Sequence, residues 1–200
     1  MNEQTMNEQT MNEQTMINGV NVDRLVATID AITNQPELGK FQFRARSRWI
    51  NGGHYASTIS DFYGAGKEDV HKNSFTLHGD EPDVLLGDDN GPNPVEFVLH
   101  GLAGCLSTTF VYYAAAQGIK VDAISYTLEG DLDVRGLLGI SKEVRPGFQN
   151  IRVMFHIQSD APMEQLQELV KLAQMRSPVF NTVSEPVPVQ VDMEKAVIAA

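Results

Sequence analysis

The chain has little with which to build a covalent or a strongly cationic scaffold. It holds one cysteine in 200 residues, so an internal disulfide is excluded and no oxidising compartment is required. Positive charge is scarce: 15 Lys and Arg stand against 26 Asp and Glu, for a net charge of −11. No Lys/Arg-rich block occurs, which argues against nucleic acid and against anionic membrane surfaces as partners. No basic-then-apolar signal segment opens the sequence. The longest apolar run is interrupted by Glu96, His100, Ser107, Thr108 and Thr109, too polar for a membrane span of about 20 mostly apolar residues. The reading is a cytoplasmic, soluble protein. The five histidines lack metal-ligand spacing, Gly64-Ala65-Gly66-Lys67 lacks the upstream Gly and following Ser/Thr of a phosphate loop, and no Ser sits in a nucleophile elbow. Neither cofactor nor metal is expected.

Residues 1–15 are MNEQT three times over. Residues 1–16 read as a disordered tail and 17–200 as one domain. Asn21 caps a helix with Val22, Leu25, Val26, Ile29 and Ile32 at helical spacing, ended by Pro36 and Gly39. Phe41, Phe43, Ala45, Ser47 and Trp49 alternate with Gln42, Arg44, Arg46 and Arg48, a strand with one basic face. Asn51-Gly52-Gly53 turns it into a second strand from His54 to Phe62, broken at Gly64-Ala65-Gly66, and 74–78 forms a third. Asn93, Pro94 and Glu96 form a capping-box start for a helix of about seven turns ending near Gly118. Strands over 121–134 and 150–159, a helix from Asp160 and Pro162, an interruption at Ser177-Pro178 and an edge strand from Val187 to Met193 complete the pattern.

This order predicts an α+β protein, with a central buried helix and a second helix packed on curved antiparallel sheets. The central helix is apolar nearly all round, and a few short strands from one chain are too little to cover it. A homodimer sharing that helix is therefore expected.

Chemistry centres on Cys105, in the middle of the long helix on a face with Val98, Leu102, Thr109 and Tyr112. So far from the helix N-terminus, its thiol gains nothing from the dipole, and a reactive thiolate needs a nearby cation. Arg44, Arg46 and Arg48 are the sources at hand. The competing reading is plain packing, since a free cysteine often serves as a small hydrophobe. Glu96 is a candidate general base or arginine partner, although the capping box already gives it a structural role.

Three segments carry a family resemblance: Gly91-Pro92-Asn93-Pro94-Val95-Glu96-Phe97, then Ala103-Gly104-Cys105 followed by Ser/Thr side chains, then Arg176-Ser177-Pro178-Val179-Phe180-Asn181-Thr182. Together they resemble the OsmC/Ohr family of osmotically inducible and organic hydroperoxide resistance proteins, over about Phe41 to Met193. The resemblance implies an intertwined homodimer with active sites at the subunit interface. It also implies a peroxidase whose helix cysteine attacks the peroxide, with a second cysteine closing a disulfide and an Arg and a Glu holding the thiolate. External thiols or lipoyl groups supply the reduction.

Carried over, Cys105 matches the attacking cysteine, and Ser177, which is not redox-active, stands at the resolving position. Val95 occupies the place of the functional carboxylate, with Glu96 next to it. Arg46, Arg48 or His54 fills the thiolate-stabilising role. The chain is thus similar to a single-cysteine branch of the family. One expectation is a thiol-dependent hydroperoxide reductase of the oxidative stress response, acting on organic or lipid hydroperoxides with an outside thiol. The other is a non-enzymatic dimer with an apolar ligand pocket.

Overall fold

The structure is a computed structural model describing residues 15–195. The expected tail over residues 1–14 lies outside the described residues, and Met16, grouped with that tail from the sequence, begins the first strand. Strands β1 (Met16–Ile17) and β2 (Val20–Asn21) form a small hairpin. Its turn, Asn18 and Gly19 with φ of 53 and 75, is the Asn-Gly turn that suits the twist of a hairpin. Asn18 also anchors the hairpin far along the chain. Its side chain donates to the carbonyl of Ile119 at 2.9 Å and accepts from the Val121 amide at 2.8 Å. Helix α1 (Val22–Asn34) follows, with the Asn21 side chain accepting from the Arg24 amide at 2.8 Å, and a 3-10 turn over Pro36–Gly39 closes it.

The predicted first strand is split into β3 (Gln42–Phe43) and β4 (Arg46–Asn51), both paired antiparallel with β5 (His54–Gly64). The expected short third strand at 74–78 is the end of a much longer one, β6 (Lys67–Gly79), joined to β5 by a tight turn at Ala65 and Gly66. Both turn residues have positive φ, at 50 and 81. What reads as a break in the sequence is therefore a hairpin turn of the primed kind.

Cross-strand partners share a face of a sheet. Register therefore places Ser47, Trp49, Tyr55, Ile59, Phe75 and Leu77 on one side, and Arg46, Arg48, Ala56, Thr58 and His78 on the other. The first side continues in a row of ring contacts from Phe41 through Phe43, Phe62 and His71 to Phe75. The alternation of apolar and basic residues read from the sequence is thus a real division of faces. Phe43 and Trp49 remain 74% and 72% exposed in the single chain.

A loop from Asp80 leads to α2 (Pro94–Ala116), which starts with the predicted capping box: the Asn93 side chain accepts from the Glu96 amide at 2.9 Å, and the Glu96 carboxylate accepts from the Asn93 amide at 2.8 Å. The second sheet is a hairpin-like pair, β7 (Ala123–Leu132) and β8 (Phe148–Gln158), connected through a single helical turn, α3 (Val134–Leu137). Helix α4 (Met163–Arg176) and α5 (Pro178–Ser184) complete the described fold. The expected strand over Val187–Met193 is not formed in the chain. Pro186 and Pro188 have no N–H for a ladder, and all four of its apolar side chains are exposed.

The core lies between α2, α4 and β8. Phe110 and Ala114 pack against Leu166, Leu169 and Ala173, with the Phe155 ring 6.0 Å from that of Phe110. Each large side chain withdrawn here contributes about 1.5–3 kcal/mol. Against the expectation that Glu96, His100 and the Ser/Thr residues make this run too polar, helix α2 is by length and composition alone apolar enough to cross a bilayer, a test that the core helix of a globular fold also passes. Its packing on α4, α5 and β7 makes it the central element of the fold. Within one chain it is covered on one side only. Leu102, Leu106, Phe110 and Ala114 are buried, while His100, Gly104, Thr108 and Tyr112 form an open stripe on another side.

Candidate functional site

Cys105 lies between the buried and open sides of α2 and is half-buried. The hydroxyl of Thr109, one turn on, donates to the Cys105 carbonyl at 2.8 Å, a back-bond that leaves the sulfur itself untouched. The sulfur has one partner among the described residues: the backbone N–H of Val179 donates to it at 3.5 Å.

That contact has a local cause. The residue before a proline avoids helical backbone angles, and Ser177, before Pro178, is extended at φ −70 and ψ 118. Helix α4 ends there. The Ser177 amide still donates to Ala173 O at 2.9 Å, while its hydroxyl accepts from the Phe180 amide at 3.2 Å and caps α5. The Asn181 side-chain amide donates to the Ser177 carbonyl at 2.8 Å and to that of Met175 at 3.2 Å. These hydrogen bonds tie the interruption together, and Ser177 is fully buried. The segment that the sequence placed at the resolving position is therefore folded against the helix carrying Cys105.

Beside this point lies a cavity of about 500 Å³. Val98 and Leu102 of α2, Phe148, Ile151 and Val153 of β8, and Phe180 and Val183 of α5 form its apolar walls, with Arg145, Gln149, Asn150 and Ser184 as the polar lining. Of the residues predicted to share the face of Cys105, Val98 and Leu102 line this cavity. Tyr112 instead borders a groove against α1.

The cation candidates are carried on the other sheet. Arg46 is engaged by Asp61, with Nη1–Oδ1 at 2.5 Å and Nη2–Oδ2 at 3.2 Å, and Arg44 bridges Asp61 at 3.2 Å and Glu68 at 2.7 Å. The Arg46 guanidinium, helped by Ser60 and Arg44, holds the Asp61 carboxyl well below the usual carboxylate range. The Arg48 guanidinium has no hydrogen bond or ion pair among the described residues. His54 pairs with His78, Nε2 to Nδ1, at 2.9 Å. Glu96 is occupied by the capping box, and Val95 supplies no carboxylate. The structure thus brings together Cys105 and the Ser177–Val179 segment, and hydrogen-bonds no arginine or histidine of the same chain to the sulfur.

One structural residue escaped the sequence reading. Asp80 is buried and accepts from the amides of Glu81, Asp88 and Asn90 at 2.8, 3.3 and 3.2 Å, and from the Asn90 side chain at 2.8 Å. Those donors, the Asn90 side chain first, hold its carboxyl below its ordinary value against the opposing effect of burial. Asp80 thereby ties the loop ahead of α2 into one shape. An Asp followed by a Gly/Asp/Asn-rich loop is the signal that marks such a turn-organising carboxylate.

A Cys-bearing central helix packed on a helix-backed two-stranded sheet, in a chain that also carries an arginine-bearing antiparallel sheet, defines an α+β protein of the OsmC-like class. The chain belongs to the OsmC-like protein family, which matches residues 87–192. Its fold is similar to that of an OsmC-like protein from Mycoplasma pneumoniae, at TM-score 0.57 and 16% identity over 72% of this chain and 89% of that one. It is also similar to an organic hydroperoxide resistance protein OsmC from Legionella pneumophila, at TM-score 0.51 and 19% identity over 72% and 90%. A protein associated with osmotic stress and detoxification from Psychrobacter arcticus aligns at TM-score 0.53 and 10% identity over 69% and 85%. Among curated protein sequences no relative is matched.

Proposed function

We propose that the chain is a homodimeric stress-response protein that reduces organic hydroperoxides with Cys105 as its one reactive thiol. The observation that carries this reading is the Val179 N–H aimed at the Cys105 sulfur, a fixed donor at a half-buried atom beside an apolar cavity. In the reaction the thiolate attacks the outer oxygen of ROOH. The O–O bond breaks, RO⁻ leaves and takes a proton as ROH, and the sulfur becomes sulfenic acid. Ser177 cannot close a disulfide. One external thiol therefore condenses with the sulfenic acid, releasing water, and a second thiol frees Cys105 as the external disulfide forms. A dithiol of the lipoyl class performs both steps.

The dimer enters through the surfaces that one chain leaves open: the His100–Tyr112 stripe of α2 and the exposed aromatic row of the first sheet. A second subunit is also the source of a cation for the thiolate. Arg48, on an outer strand and without a partner among the described residues, suits that role better than Arg46, which Asp61 already neutralises. His54 is the third candidate.

A second reading, an OsmC-like dimer that binds an apolar ligand without peroxidase activity, is favoured by the lack of any same-chain arginine or histidine hydrogen-bonded to Cys105 among the described residues. Turnover of cumene hydroperoxide with dithiothreitol or dihydrolipoamide separates the two. The first reading expects turnover that Cys105→Ser reduces to background. Turnover absent in the parent chain, or unchanged in Cys105→Ser, removes it.

A further inference from the structure

The sequence holds three Asn-Gly pairs: Asn18-Gly19, Asn51-Gly52 and Asn90-Gly91. Such a pair can rearrange without an enzyme, because glycine has no side chain to keep its backbone nitrogen away from the preceding side-chain amide carbon. The outcome depends on how each asparagine is held, and the fold holds the three differently.

Asn18 is tied at both ends of its amide, donating to the Ile119 carbonyl at 2.9 Å and accepting from the Val121 amide at 2.8 Å. Asn90 is tied to the buried Asp80 carboxylate, through its side-chain nitrogen at 2.8 Å and its backbone N–H at 3.2 Å. Gly91 after it is packed so closely that an added Cβ would lie 2.4 Å from the His78 carbonyl oxygen. Asn51 is exposed and ends β4 at the tip of the β4–β5 hairpin. Its side-chain amide has no hydrogen bond among the described residues, and neither has the Gly52 N–H. Gly52 has φ of 51, and an added Cβ there would meet nothing within 4 Å. Only its carbonyl is used, accepting from the Trp49 indole N–H at 3.1 Å.

We propose that Asn51 is the deamidation site of this chain, where the amide becomes aspartate or isoaspartate. The Gly52 nitrogen gives its proton to solvent and attacks the Asn51 side-chain carbon. The new C–N bond closes a succinimide ring as the bond to Nδ2 breaks, and ammonia leaves with a proton from solvent. Water then opens the ring, at the side-chain carbonyl to give aspartate or at the main-chain carbonyl to give isoaspartate. Nothing is oxidised or reduced. A carboxylate replaces the amide opposite His54, the cross-strand partner of Asn51, and in isoaspartate the main chain gains a methylene at the end of β4. The change falls on the hairpin that carries Arg48 and His54. The site rests on the turn itself, whichever reading of Cys105 holds.

Incubation of the full chain in warm, mildly alkaline, heavy-oxygen water, followed by peptide mapping, tests the site. The Asn51 peptide takes up one heavy oxygen and becomes a methyl acceptor for an isoaspartate methyltransferase. It does so at least about 10-fold faster than the Asn18 and Asn90 peptides, whose hydrogen bonds must break before the amide can turn. In denaturant the three sites react within about two-fold of one another, because the unfolded chain no longer distinguishes them. Asn51→Gln, an exposed change that would need a larger ring, removes most of the methyl acceptance of the folded protein. Several results overturn the proposal: equal rates at the three sites in the folded chain, a faster reaction at Asn18 or Asn90, or no conversion at all. So does methyl acceptance undiminished by Asn51→Gln, or a preference for Asn51 that persists in denaturant.

Discussion

The backbone N–H of Val179 reaches the sulfur of Cys105 at 3.5 Å because Ser177 and Pro178 interrupt the chain between α4 and α5. The segment is folded against the helix that carries Cys105, and under the proposed function Ser177 is the candidate position for a second thiol.

Under the proposed function, Ser177→Cys is expected to allow an internal disulfide with Cys105. After peroxide treatment the variant loses two hydrogens by intact mass, whereas the parent chain accumulates sulfenic acid that dimedone traps. The substitution costs about 1–3 kcal/mol, because a larger atom enters a fully buried place and the hydroxyl cap on Phe180 is lost. A variant that folds and still yields only the dimedone adduct shows that residue 177 is out of reach of Cys105.

The two arginines of β4 give different outcomes. The bidentate contact with Asp61 cancels most of the field of Arg46, so Arg46→Ala leaves hydroperoxide turnover within about two-fold of the parent. Arg48→Ala lowers kcat/KM by at least about 10-fold, a loss of about 1.4 kcal/mol of transition-state stabilisation. Steady-state kinetics with dihydrolipoamide measures both, and the reverse order would assign the cation to Arg46.

Much of this arrangement is legible in the sequence, and the limits have physical causes. Asn93, Pro94 and Glu96 announce the start of α2 because a capping box is a local pattern satisfied by local hydrogen bonds. Ser177 and Pro178 announce the break before α5 for the same reason. Ala65-Gly66 reads as an interruption because positive φ at Ala65 is unusual, and the turn exists only because Gly64 and Lys67 pair across it. The tie between Arg46 and Asp61 is set by cross-strand register, which no spacing in the sequence reveals. Val187–Met193 has the alternation of a strand, and alternation without a neighbouring edge does not make one. The role of Asp80 is not legible in the sequence, because its four donors come from a loop whose shape the carboxylate itself organises.

Asp80 makes acid stability a measurable property of that loop. Its carboxyl titrates below the ordinary Asp value near pH 4 in the folded chain. The unfolded chain therefore takes up that proton first, and the stability that Asp80 contributes is whole above about pH 4 and drains away as the pH falls through the folded-state value. Asp61, held down mainly by Arg46, adds in the same direction. Thermal melts between about pH 7 and pH 3 should show the midpoint falling at the acid end. Asp80→Asn lowers the midpoint at neutral pH, since an amide nitrogen would face backbone donors, and it flattens the acid limb. Parallel pH curves for the parent and the variant would remove Asp80 from this role.

Gly104 tests the dimer with opposite signs. It lies one residue before Cys105 on the open stripe of α2, and a Cβ added there would meet nothing within 4 Å in the single chain. In a monomer Gly104→Ala would only improve the helix, by about 0.5–1 kcal/mol, and the melting midpoint would rise. In a dimer whose two α2 helices approach along this stripe, the added methyl would enter the contact between them, and overpacking costs about 1–3 kcal/mol. We expect the second outcome: weaker association by sedimentation equilibrium, and a midpoint that falls with dilution more steeply than in the parent chain. A higher, concentration-independent midpoint would show that this stripe is not where the two copies meet.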